Sequence, residues 1–136
     1  MISGTDHTVL AVYDIEQGIQ QWSSITGRQP DHTVRGTDSD LHQAFFTLPD
    51  NTFIELIAPS NEQSQLAAAL QKRGEGVHVL ALATDDIEQT VLDLESNGVR
   101  LIGKDSQQVF IHPDSASGVL VQLWPSDRPH RWRDSL

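Results

Sequence analysis

The sequence predicts an α+β fold built from two βαβββ modules, and three observations carry that prediction. The first is an internal repeat: DHTVLAVYDIEQ (Asp6–Gln17) is echoed by HVLALATDDIEQ (His78–Gln89), aligned on the shared DIEQ. The second is a further pair of echoes downstream. FFTLPD (Phe45–Asp50) answers to VFIHPD (Val109–Asp114), and FIELI (Phe53–Ile57) to LVQLW (Leu120–Trp124). The third is that in each half a strand-like apolar segment is followed by apolar residues recurring at helical spacing.

The elements follow in order. His7–Val12 is apolar and β-branched, as a strand requires. Asp14 then fits a helix N-cap with Gln17 at N3, Ile15, Ile19, Trp22 and Ile25 form one buried stripe, and Gly27 is a natural C′ residue. In the second half Val79–Ala83 is the strand, and Asp86 caps with Gln89 at N3. Ile87, Val91 and Leu94 form that stripe, and Gly98 ends the helix. Three strands follow each helix: one near Thr33, then Leu41–Leu48 and Thr52–Ala58; and Arg100–Ile102, Gln108–His112 and Gly118–Trp124. A helix over Ser60–Arg73, with Ser60 and Gln63 as its capping box, joins modules at about 6–58 and 77–124. Residues 125–136 form a tail, and the whole is expected to be a single domain.

The 136 residues suffice for a real core, and no apolar run reaches the ~18 residues of a membrane span. The start MISGTDH has neither the basic nor the apolar region of a signal peptide. The absence of cysteine excludes disulfides, thiolate metal sites and a cysteine nucleophile, and fits a cytoplasmic protein. A net charge of −10 argues against nucleic acid as a partner, since affinity there comes from neutralising phosphates. The tail RPHRWR, with Arg128, Arg131 and Arg133, is the basic exception. A solvated terminus is expected there, with an anionic substrate group or a partner chain as the alternative. No G-x-S-x-G, Walker-type or G-x-G-x-x-G motif is present.

The stretches DHTVLAV, IELIAPS, KRGEGVHVLALATDDIEQ with NGVRLI, and HPDSASGVLVQLW span about residues 6–124. They resemble the vicinal oxygen chelate (glyoxalase/bleomycin-resistance) superfamily, and within it the methylmalonyl-CoA epimerase-like proteins. The resemblance implies a curved mixed sheet around a cleft, in which four inward side chains bind a divalent metal. There the metal chelates two substrate oxygens and stabilises an enediolate while carboxylates move the proton. Cobalt, nickel, zinc, manganese and magnesium are the candidate ions.

Matched residue by residue, the resemblance places metal ligands at His7, Glu55 and Gln122. The epimerases carry Gln where Glu55 stands and Glu where Gln122 stands, so acid and amide look exchanged. The remaining ligand position departs from the family: GIHHIAF there becomes GVHVLAL here, and Val79 replaces the second His. Strand alternation turns His78 away from the site. A neutral amide cannot abstract a proton, so Glu55 is the expected base. Asp38, or Asp40, on the loop before the strand LHQAFF is the candidate partner acid. Gln43, rather than His42, and His112 are candidates for substrate binding, with His112 also suited to holding its turn.

Two functions follow as expectations. One is a divalent-metal-assisted isomerase, epimerase or lyase acting next to a carbonyl or thioester, with an acyl-CoA as nearest substrate. The other is a metal-free small-molecule-binding protein of the bleomycin-resistance type. A homodimer is the expected assembly.

Overall fold

The computed structural model describes residues 1–37 and 41–136. Its elements are β1 (Ile2–Ala11), α1 (Ile15–Thr26), β2 (His32–Val34), β3 (Leu41–Thr47) and β4 (Phe53–Pro59). They continue with α2 (Gln65–Arg73), β5 (Gly76–Thr84), α3 (Ile87–Ser96), β6 (Leu101–Ile102), β7 (Val109–Ile111) and β8 (Val121–Pro125). The doubled β-α-β-β-β order is the one the repeat predicts. No described helix is long and apolar enough to cross a membrane.

The chain divides into two compact units: Met1–Thr8 with His78–Pro129, and Val9–Val77 with His130–Leu136. Strand β1 gives its first residues to one unit and its last to the other. The second unit carries β2-β3-β4, antiparallel throughout, with Phe45 opposite Glu55 and Gln43 opposite Ile57. Side chains alternate across a strand. Ala44, Phe46, Leu56 and Ala58 therefore share one face, where they meet Leu10, Val12 and Ile15 with Ile19 and Trp22 of α1 packed on them. Helix α1 seats closely because Gly18 has no side chain. A Cβ there would lie 3.0 Å from a Val12 methyl and 3.3 Å from Leu56.

The first unit carries β5-β8-β7-β6, with β5 and β8 parallel and the other pairs antiparallel. Val109, Ile111, Val121 and Leu123 form its core under α3, joined by Leu82, Ile87, Val91 and Leu94.

Helix starts follow the capping chemistry. Asp14 accepts from the Gln17 amide and Asp86 from the Gln89 amide, each at 3.1 Å. Gly27 takes up the left-handed conformation at φ 69 and closes α1. Three expectations need correction. Ile25 is 61% exposed rather than part of the buried stripe, whose place is filled by Gly18. Helix α2 begins at Gln65, not Ser60, and its cap is Ser64, whose hydroxyl accepts from the Ala67 amide at 3.0 Å. Asn61 causes the delay: its side chain accepts from the Gln63 amide at 3.0 Å, a local turn that competes with helix. The tail is not a solvated terminus. Trp132 and His130 are buried, at 9% and 8% exposure, within a 3-10 turn at Arg131–Ser135 and at the residue before it.

Candidate active site

In the second unit the α1-packed face of the β3–β4 hairpin leaves the opposite face to Gln43, Phe45, Phe53, Glu55 and Ile57. The Gln43 side-chain amide donates to the Glu55 carboxylate at 3.0 Å. This bond fixes the direction of a half-buried carboxylate on the face opposite the one that α1 packs against. His42 points the other way, and its Nδ1 accepts from the Gly36 amide at 3.1 Å. Gly36 is required there, since a Cβ would stand 1.9 Å from the Leu41 carbonyl oxygen. Of the two adjacent candidates, Gln43 is the one brought to Glu55. Asp38 and Asp40 lie outside the described residues.

In the first unit His7 is 4% exposed, and its Nδ1 lies 2.6 Å from Asp6 Oδ2. A carboxylate only accepts, so Nδ1 carries a proton and in the neutral ring Nε2 holds the lone pair. A carboxylate behind an imidazole is the usual way to orient a metal-binding histidine. The Trp124 ring stands edge-on to His7 at 5.8 Å between centroids. Gln122 lies two residues before Trp124 on β8, paired with Phe110 and Ala81 and turned away from the α3 core. Val79 is buried at 8% exposure and alternates with His78 and Leu80, on the same side of β5 as Ala81. His112 holds its turn: its Nδ1 accepts from the Asp114 amide at 3.0 Å, capping the 3-10 turn Pro113–Ser115.

The first unit thus offers an oriented imidazole and a side-chain amide oxygen, and the second a hydrogen-bonded carboxylate, each a donor type that suits a borderline or hard divalent cation. Asp6 was not singled out from the sequence, although its position directly before His7 was the available signal. Trp132 was missed as well. A cavity of about 520 Å³ opens elsewhere, between α3 and residues 104–107, lined by Ile87, Val91, Leu123, Lys104 and Arg128. It lies on the α3 side of the strands and holds none of His7, Gln43, Glu55, His112 and Gln122. Within it Lys104 donates to Glu95 at 2.8 Å, which holds the ammonium above the ordinary 10.5.

Comparison with known proteins finds a family model and near full-length relatives. Residues 6–115 match the model of the glyoxalase/bleomycin resistance protein/dioxygenase superfamily. The ethylmalonyl-CoA/methylmalonyl-CoA epimerase of Cereibacter sphaeroides is 30% identical over 132 residues, covering 90% of this chain and 98% of that protein. The methylmalonyl-CoA epimerase structure from Mycobacterium tuberculosis superimposes with a TM-score of 0.74 at 32% identity, covering 92% of this chain and 89% of the other. A variant of the Streptomyces coelicolor methylmalonyl-CoA epimerase, in complex with 2-nitronate-propionyl-CoA, gives a TM-score of 0.74 at 26% identity, covering 94% and 100%.

Proposed function

The chain belongs to the glyoxalase/bleomycin resistance protein/dioxygenase superfamily, and we propose that it epimerises a small branched malonyl-CoA thioester with the help of a divalent metal. The observation that carries this reading is the Gln43–Glu55 hydrogen bond at 3.0 Å, which fixes the direction of a half-buried carboxylate on the sheet face opposite α1. The near full-length likeness to epimerases of such thioesters supports it.

The carbon between a thioester and a carboxylate carries an acidic proton. In this reading Glu55 takes that proton and the electron pair moves onto the thioester oxygen. Gln43 keeps the carboxylate in place during the transfer. Return of a proton to the opposite face gives the epimer, and Asp38 is the proposed donor. Gln122, being neutral, orients and does not titrate. We assign the metal donor atoms to His7, Glu55 and Gln122, with Asp6 holding the His7 ring. When bound, such a cation supplies Lewis-acid charge to the oxygen that becomes negative. Cobalt, nickel, zinc, manganese and magnesium all accept this donor set. The same proposal includes a homodimer in the cytoplasm, supported by the family resemblance and by the absence of cysteine.

A second reading, a metal-free protein that holds a small ligand, is favoured by one observation. Val79 buries an apolar side chain at the position where epimerase-like relatives present a histidine.

Deuterium uptake at the reacting carbon of methylmalonyl-CoA, in deuterated water, decides between them. The wild type should exchange. Glu55→Gln should lose ~100-fold or more, as removal of a general base does, with its melting temperature unchanged. Absence of exchange by the wild type, or undiminished exchange by the variant, would overturn the epimerase reading. Tight binding of 2-nitronate-propionyl-CoA without any exchange would establish the second reading instead.

A further inference from the structure

The tail is folded onto the very face that carries Glu55. Phe45 stands directly opposite Glu55 across the hairpin, and Phe53 precedes it by two residues on the same face. Trp132 stacks on Phe45 with centroids 4.7 Å apart at 14°, and meets Phe53 edge-on at 5.1 Å. The His130 ring adds an edge contact to Phe53 at 4.7 Å. The Arg133 guanidinium lies over Phe53 and Trp132 at 5.2 and 5.1 Å and donates to the Asn51 carbonyl at 2.9 Å. Glu55 is therefore flanked by unlike neighbours. On one side stands the polar Gln43. On the other stands an aromatic wall whose outer member is supplied by the C-terminal segment.

We propose that Trp132 is a specificity-determining residue: it closes the apolar side of the Glu55 face and limits the size of the substituent on the carbon that Glu55 deprotonates. This rests on the acyl-CoA reading given above. A group that takes a proton from carbon must lie within hydrogen-bond reach of it. The other substituent of that carbon then falls beside Glu55, against either Gln43 or the aromatic wall. An alkyl group loses nothing by desolvation against aromatic rings and would leave the Gln43 amide less well solvated. The wall is thus the alkyl side. A stacked indole in a two-sided contact cannot retreat, so each added methylene must displace it. One methylene in such an apolar site is worth about 10–200-fold in discrimination.

The test compares deuterium uptake by methylmalonyl-CoA and ethylmalonyl-CoA, which differ by one methylene, in wild type and in Trp132→Phe, Trp132→Leu and Trp132→Ala. The readout is the ratio of the two kcat/KM values, which does not depend on the fraction of protein folded. The ratio should shift toward the ethyl compound by ~10-fold or more in Trp132→Ala. The phenylalanine and leucine variants should fall between, so the order can be read even if the alanine variant folds poorly. An active wild type whose ratio is unmoved across the series would overturn the wall and leave the epimerase reading standing. A wild type inactive on both thioesters would overturn both together.

Discussion

Replacing Trp132 by alanine should lower the free energy of unfolding by about 3 kcal/mol, close to the lower end of buried Trp-to-Ala losses. The side chain is 9% exposed and stacked on Phe45. A buried tryptophan removes ~150–250 Å² from water, worth about 4–6 kcal/mol at ~25 cal per Å². Against this, its indole N–H is buried with no acceptor among the described residues. An unsatisfied donor costs about 1–3 kcal/mol, which brings the net near 3. The loss is capped from above, because a tail that undocks entirely takes no more with it than its own docking energy. Trp132→Phe separates the two contributions. It keeps a ring on Phe45 and removes the orphan donor, so its stability should stay within ~1 kcal/mol of wild type. Urea unfolding followed by far-ultraviolet circular dichroism reads both variants, and a midpoint shift at unchanged slope reports stability alone. An alanine variant with the wild-type midpoint would refute the docked tail. A phenylalanine variant as weak as alanine would refute the claim that the indole N–H is a burden.

Asp6→Ala should weaken cobalt binding ~10–100-fold in calorimetric titration, because the His7 ring loses its orienting carboxylate; equal affinity would exclude that role. Gly18→Ala gains about 0.5–1 kcal/mol of helix propensity but drives a methyl into Val12 and Leu56, an overpacking cost of about 1–3, so a net loss near 1 is expected. A stabilised Gly18→Ala protein would mean that α1 seats less tightly than its contacts indicate. Asp50 should titrate below its ordinary 3.8, since the Thr52 hydroxyl and amide both donate to its carboxylate. A depressed folded value means that this turn's contribution is complete above pH 3.8 and is lost as pH falls through the lower folded value. Carboxyl resonances followed by NMR should show the Asp50 midpoint moving upward in Thr52→Val; an unmoved midpoint would remove the hydroxyl from the account.

What the sequence disclosed and what it hid divide along sequence separation. Asp14 and Asp86 announce their helices because a cap acts on an amide three residues away. Glu55 and Gln43 can be placed on one face because strand alternation and a hairpin turn together fix register. Val79 departs from the family histidine at a legible position for the same reason. The failures are contests that local pattern does not settle. Ser60 and Ser64 are both plausible caps, and the Asn61 side chain, by turning the chain at Gln63, hands the start to Ser64. Ile25 continues the helical spacing but falls in the last turn of α1 and is exposed. The tail is the furthest case. Nothing periodic marks RPHRWR, and its charge reads as solvation, yet two of its rings settle on Phe45 and Phe53 far back along the chain. Those two phenylalanines flank Glu55 by register alone, so the hairpin was already an incomplete aromatic surface on the page. Two phenylalanines on one hairpin face need an apolar cover, and the chain's last tryptophan supplies it.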